Sequence, residues 1–258
     1  MNIGVFDSGL GGLTIFKALR KELPQYNYIY FGDNARVPYG NRSPEIIYQF
    51  TKEAVDFLFK KKCQLIIIAC NSSTSTSLRK IQREYLPKFY PDLRVLGVIK
   101  PVIEKLKDSR LERIGIIGTK ATIKSEAFIH EIKKVIPTAI VFQQPCPLLV
   151  PYIEDSMRNK KVLQLLLKEY LDPLIKRKIN SLILACTHYG IIEKEIKNIV
   201  GSNIDVISEE RIVAEKLKDY LKRHPKIERK LDKQKKVEFH FTDPRSDYKK
   251  LTKLFLNG

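Results

Sequence analysis

The chain alternates short apolar runs with longer stretches in which apolar residues recur at helical spacing. The runs short enough to be strands are 2–6, 27–31, 65–69, 94–98, 113–117, 139–142, 181–185 and 204–206. Ile66-Ile67-Ile68-Ala69 and Leu182-Ile183-Leu184-Ala185 are apolar at every position, the pattern of strands covered on both faces of a parallel sheet. Helices are predicted between the runs at 12–22, 44–62, 74–86, 124–135, 160–178, 191–199 and 209–223. In the clearest, 44–62, an apolar face is formed by Ile46, Ile47, Phe50, Ala54, Phe57 and Leu58. Ser43 is placed to cap it and Pro44 sits at its first position. Pro173 is expected to kink or divide the 160–178 helix. The alternation predicts an α/β architecture with mostly parallel sheets.

The pattern also repeats. Ile3-Gly4-Val5-Phe6-Asp7-Ser8 is answered by Ile114-Gly115-Ile116-Ile117-Gly118-Thr119, and Ile66 through Ser72 by Leu182 through His188. Gly4 to Cys70 and Gly115 to Cys186 are similar separations. Two α/β units of similar size would each place one thiol at the carboxyl end of a strand, where ligands bind in open α/β sheets. Two thiols facing one small molecule suit removal of a proton from one face of a carbon and return of a proton to the other. The second unit begins near Leu96-Gly97-Val98-Ile99 and ends near Ile207-Ser208. The 209–223 helix and a short Val237–Phe241 strand are expected to return to the first. The first domain is therefore expected to be discontinuous, 1–96 plus 209–258, with 97–208 as the second.

Composition narrows the class. Of 258 residues 43% are hydrophobic, enough for packed cores. No run approaches the ~20 apolar residues of a membrane helix. The chain opens directly into Ile3-Gly4-Val5-Phe6 with no leader-like segment, so a cytoplasmic location away from membranes is expected. Cys63, Cys70, Cys146 and Cys186 form no C-x-x-C pair, which favours free thiols and argues against zinc. The net charge is +18, with one concentration at 222–236, where eight Lys and Arg face Glu228 and Asp232. That stretch has no interleaved aromatics and no nucleic-acid-binding motif, so it reads as solvated surface and nucleic acid is not the expected partner.

Three segments carry candidate chemistry. Val5 through Thr14 is a strand running into a Gly-rich turn, but Thr14 stands where a dinucleotide fingerprint needs its third glycine. What remains is a set of backbone N–H groups at a helix start, suited to a carboxylate, with Asp7 at the strand tip. Taken alone, Asp7-Ser8 reads equally as a tight capping turn. Phe31 through Gly40 is rich in Gly, Pro, Asp and Asn at a strand end and reads as a ligand-facing loop. A lone Cys after an apolar run would be a small core residue; two in repeated frames are candidate acid/base groups. His188 lies two residues beyond Cys186, on the same face of an extended chain, and handles protons at neutral pH. Cys63 and Cys146 fall outside the repeated frame and read as structural.

With these residues in view, the chain resembles the glutamate racemases of the cofactor-independent aspartate/glutamate racemase superfamily. The resemblance is carried by Gly4 through Gly12, Asp33 through Gly40, Ala69-Cys70-Asn71-Ser72 and Ala185-Cys186-Thr187-His188-Tyr189, in order along nearly the whole chain. It implies two α/β domains with the active site in the cleft between them. Cys70 and Cys186 would be the acid/base pair, Asp7 supporting Cys70 and His188 supporting Cys186. Asp33 and Glu154 match acidic positions around the site. Ser8, Tyr39, Gly40, Asn71, Ser72 and Thr187 match substrate contacts, as do Thr119 and Thr122. The substrate would be L- or D-glutamate, with no metal and no cofactor, in a homodimer supplying D-glutamate for peptidoglycan. The chain departs from the family at Ser72-Ser73, at Gly190 where a proline is usual, and in a loose match at Phe241-Thr242-Asp243-Pro244; these bear on affinity and remove no catalytic group. The competing readings are an aspartate racemase, a cysteine hydrolase using Cys186 and His188, and a basic nucleic-acid-associated protein on an inert racemase scaffold.

Overall fold

The apolar runs assemble into two parallel sheets. A computed structural model of the protein describes residues 1–106, 112–155 and 159–243. Its strands are β1 Asn2–Asp7, β2 Tyr28–Gly32, β3 Cys63–Ile68, β4 Arg94–Gly97, β5 Arg113–Gly118, β6 Ile140–Pro145, β7 Ser181–Ala185, β8 Asp205–Ile207 and β9 Val237–Phe241. The helices are α1 Leu13–Glu22, α2 Pro44–Lys60, α3 Asn71–Lys80, α4 Leu86–Phe89, α5 Ile99–Leu106, α6 Lys120–Lys124 and α7 Ala127–Val135. They continue with α8 Leu149–Glu154, α9 Lys160–Lys176, α10 Glu193–Val200, α11 Glu210–Arg223 and α12 Pro225–Glu228.

One sheet runs β4-β3-β1-β2-β9 and the other β6-β5-β7-β8. Apart from β9 the two orders are the same when each unit is counted from its own first strand, so the repeat in sequence is a repeat in topology. Cys70 follows the third strand of one unit and Cys186 the third strand of the other. All pairings are parallel; Val5 lies between Tyr30 and Ile67, and Ile116 beside Ile183. β9 pairs with β2 and α11 packs on α1, so the chain after β8 returns to the first sheet.

Both sheets are covered on both faces, as uniform apolar strands require. Ile3, Val5, Leu65 and Ile67 point to α1 and α11, while Phe6, Ile66 and Ile68 point to α2. In the second sheet Ile114, Ile116 and Ile183 face α5 and α7, and Leu182 and Leu184 face α9 and α10.

Local differences from the sequence pattern have physical causes. Ile46 is exposed at 38%; consecutive helical residues are about 100° apart, and the face that packs is Ile47, Thr51, Ala54, Val55 and Leu58. Ser43 Oγ accepts from the Ile46 N–H at 3.4 Å, the cap the sequence implied. Pro173 lies inside α9 without dividing it, because only its last turn follows and Glu169, whose carbonyl loses a donor, is exposed. The expected 124–135 helix is two helices, broken where Glu126 takes a left-handed φ of 54°. The expected 74–86 helix begins earlier, immediately after Cys70, and passes through a π-helical turn at Ile81–Tyr85. α5 was not foreseen. Pro244, the last residue of the loose motif match, lies outside the described residues. Among the described residues no helix is long and apolar enough to cross a membrane.

Candidate active site

The carboxyl ends of β1 and β3 in one sheet face those of β5 and β7 in the other. Between them lies a small cavity of about 30 Å³ that stays partly open to solvent. Ser8, Tyr39, Gly40, Cys70, Asn71, Ser72, Thr119, Cys186, Thr187 and His188 line it. Asp7, Asp33, Thr122 and Glu154 stand behind that wall and each touches a residue in it or beside it.

Cys70 takes the position just before α3, where an extended backbone turns into the helix. Its thiol donates to Ser8 Oγ at 3.5 Å. Burial pushes the thiol's pKa up and the Asp7 carboxylate pushes it further, while the Ser8 hydroxyl and the Ser73 N–H oppose both. Cys186 follows β7, and its Sγ lies 3.8 Å from His188 Nδ1. Burial raises this thiol well above the ordinary range, the His188 backbone N–H opposes, and a charge on Cys70 raises it further. The two sulfurs are therefore electrostatically coupled: ionising one makes ionising the other harder.

The helpers differ between the halves. Asp7 is fully buried; its Oδ2 accepts from the Gly9 N–H at 3.0 Å and its Oδ1 from Thr187 Oγ1 at 3.5 Å. Burial raises its pKa, against the opposing pull of His188 and the Gly12 and Gly9 N–H groups. His188 Nε2 lies 3.0 Å from Glu154 Oε1, so Glu154 orients the imidazole whose other nitrogen faces Cys186. Gly11 makes this closeness possible, since a Cβ there would lie 2.4 Å from Thr187 Oγ1 and 2.5 Å from His188 Nδ1. The glycine turn thus lets β1's unit press against β7's.

Hydroxyl contacts join the two units on the other side. Ser72 Oγ lies 2.8 Å from Thr119 Oγ1, which lies 3.0 Å from Thr122 Oγ1 and caps α6. A Cβ on Gly40 would fall 2.5 Å from Thr119, so the 33–40 loop also touches the second unit closely. Asp33 anchors that loop: Tyr39 donates its hydroxyl to Oδ2, Arg36 Nε donates at 2.6 Å and Thr242 Oγ1 donates to Oδ1 at 2.9 Å. All of these partners are on the protein, and Asp33 acts on the cavity through Tyr39.

Two residues here carried no sequence signal. Glu209, buried at the start of α11, accepts from Asn71 Nδ2 at 2.7 Å. Cys146, read as structural, lines the cavity with its thiol donating to the Gln144 carbonyl at 3.6 Å. At Gly190, where a proline is expected by resemblance, a Cβ would sit 2.0 Å from Glu210 Oε1, the movable end of a side chain. Among the described residues no three His, Cys, Asp or Glu side chains gather as a metal-binding set.

Comparison with known proteins agrees along the whole chain. The sequence model for Asp/Glu/Hydantoin racemase matches residues 13–217. A glutamate racemase of Aquifex aeolicus is 39% identical over 99% of this chain and 94% of its own length. One from Persephonella marina is 40% identical over 84% of this chain and 82% of its own. The crystal structure of the Francisella tularensis glutamate racemase, solved in complex with D-glutamate, superposes with a TM-score of 0.89 at 34% identity, covering 100% of this chain and 94% of that one. With paired thiols at equivalent strand ends and this similarity over most of its length, the chain belongs to the Asp/Glu/Hydantoin racemase family, with glutamate racemases as its relatives.

Proposed function

We propose that the protein interconverts L- and D-glutamate by removing the Cα proton with one cysteine thiolate and returning a proton from the opposite cysteine. The observation that carries this reading is two buried thiols, from equivalent strands of the repeat, lining one cavity between the two sheets. The Cα proton is held tightly, and a free thiol with a pKa near ~8.5 is only slightly ionised at neutral pH. Racemisation needs one thiolate and one thiol at a time. The coupling between Cys70 and Cys186 favours that state over double ionisation.

Cys186 takes the proton from L-glutamate, with His188 beside it to pass the proton on and Glu154 holding the imidazole. Cys70 takes the proton from D-glutamate, with Ser8 at its sulfur and Asp7 behind. Asp7 cannot favour a Cys70 thiolate by its charge; its use is as a proton acceptor or a brace for the glycine turn. Backbone N–H groups at the starts of α1 and α3 suit the substrate carboxylate, whose charge grows as the carbanion forms. Ser8, Tyr39, Gly40, Asn71, Ser72, Thr119 and Thr187 contact the substrate. Asp33 and Thr122 set Tyr39 and Thr119. Because the site lies between the two units, they separate to admit glutamate and close over it to exclude water.

We assign residues 1–96 with 209–258 to one unit and 97–208 to the other; the return of β9 and α11 to the first sheet supports this division, with 107–111, 156–158 and 244–258 outside the described residues. Four free cysteines suit a reducing compartment, which supports a cytoplasmic location. The enzyme acts as a homodimer on a small-molecule substrate, with D-glutamate going to peptidoglycan, and the basic 222–236 stretch is solvated surface. Circular dichroism of L-glutamate with purified protein, in reducing buffer with chelator, tests the reading against L-aspartate in parallel. Decay of the glutamate signal to zero with aspartate unchanged is expected. A flat glutamate trace, or equal loss of the aspartate signal, would contradict it.

A further inference from the structure

Glu209 is a buried acid with no part in the proton transfer described above. It opens α11 at 3% exposure and reaches Asn71, the residue next to Cys70. Asn71 Nδ2 donates to Glu209 Oε2 at 2.7 Å, and the other two oxygens of the pair, Glu209 Oε1 and Asn71 Oδ1, are buried without a hydrogen-bond partner. Two unpartnered buried acceptors within one hydrogen-bonded pair are costly. A protonated carboxyl removes the problem, because an amide and a carboxylic acid each have one donor and one acceptor to exchange. Burial favours that form, raising the Glu209 carboxyl well above the usual carboxylate range against the opposing bond from Asn71. The titratable groups facing it point the same way: Glu210 on its own helix, Asp7 at the end of β1 and Cys186 after β7 would all be negative when ionised.

We propose that Glu209 is held as a neutral carboxylic acid whose Oε1–H donates to Asn71 Oδ1, and that this acid–amide pair fixes the Asn71 amide in the cavity wall for substrate contact. Glu209 is thus a positioning residue, and the proposal rests on the reading that Asn71 meets the substrate. It ties α11, an element of the first unit's core, to the residue beside one reacting thiol. It also keeps negative charge away from Cys186, where an ionised Glu209 would hinder thiolate formation.

Difference infrared spectroscopy of the wild-type protein against E209Q reads the pair directly. A carbonyl stretch of a protonated carboxylic acid should vanish in E209Q and move in N71A. In kinetics, E209A should raise KM for glutamate about tenfold with a smaller change in kcat, the scale of one lost buried hydrogen bond. E209Q accepts and donates to Asn71 as the acid does, and should bring KM back to within about threefold of wild type. Its pH profile of kcat/KM should not move. Absence of the band would overturn the pair, as would an E209Q profile displaced to lower pH, the sign expected if a negative charge beside Cys186 were being removed. Should E209A fail to fold, the band and the E209Q profile still decide. An unchanged KM in N71A would instead sink the substrate contact of Asn71, and the positioning role with it, while leaving the band in place.

Discussion

The two halves of the cavity share a backbone plan and differ in chemistry. Cys70 lies at the head of a ten-residue helix, with the Ser73 N–H and the Ser8 hydroxyl at its sulfur and a carboxylate behind. Cys186 is followed by a short 3-10 turn, with an imidazole at its sulfur and Glu154 behind the imidazole. A helix start favours a thiolate at the Cys70 position through its partial positive charge. The Cys186 half instead has a proton-carrying side chain within reach. The repeat supplies two equivalent places for a thiol, and the residues around each place make the two thiols unequal. In the proposed reading, coupling keeps one thiol a base while the other is an acid, and the inequality gives each direction its own helper.

The largest effect is expected from removing one sulfur at a time. C70S and C186S should each lower racemisation by about a thousandfold or more in both directions, followed by circular dichroism from L- and from D-glutamate. Normal turnover by either variant would overturn the two-thiol reading. The helpers come next. D7N and H188N should each lower turnover by about ten- to a hundredfold. Because the enantiomers have equal free energy, kcat/KM must fall equally in both directions. The asymmetry appears in kcat, with H188N slowing L-glutamate more and D7N slowing D-glutamate more. Equal kcat losses for both variants would remove the assignment of helpers to halves.

A smaller effect is expected one step further out. E154Q keeps the size of the side chain but weakens its hold on His188, and should cost about tenfold in kcat from L-glutamate, with KM little changed. A loss confined to KM would place Glu154 on the substrate instead. The mildest test is pH. Both thiols are raised by burial, so each is protonated at neutral pH in the free protein, and its ionisation moves to higher pH than in an unfolded chain. Alkylation of Cys70 and Cys186 by iodoacetamide should therefore lag that of a free thiol, with its rise displaced to higher pH. By the same sign, the stability contributed by burying neutral thiols is complete below the ordinary thiol pKa. It is lost as pH rises through the folded values, including that of Cys63, pushed up to about 12 by burial. Urea midpoints should fall across that window, and a midpoint rising with pH would contradict it.

Much of this was legible in the sequence because parallel α/β architecture writes itself in uniform apolar runs. Ile66 through Ala69 and Leu182 through Ala185 are buried at every position, so their ends, and the cysteines there, could be located without coordinates. Asp7, Ser8 and His188 follow by adjacency along the chain. What adjacency cannot show is contact across the fold. Glu209 meets Asn71 from 138 residues away, and nothing in Ser208-Glu209-Glu210 separates it from an ordinary exposed helix start. Asp33 sits in a motif that reads as ligand-facing, yet its carboxylate is occupied by Arg36, Tyr39 and Thr242, the last brought in by β9. The start of the 71–80 helix is not legible in the sequence because Asn71 through Ser77 is a run of small polar and β-branched residues with weak helical preference. There the packing of the units sets the structure and local propensity does not.

The central claim is that each face of the Cα atom has its own thiol. Conversion of L-glutamate in deuterated water, stopped at low turnover, tests it most directly by the deuterium content at Cα in product and in remaining substrate. Two thiols predict D-glutamate that carries deuterium while the unreacted L-glutamate carries almost none, because the proton comes off to one sulfur and returns from the other. Product retaining the original hydrogen, or substrate labelled as fast as product forms, would mean that a single group serves both faces.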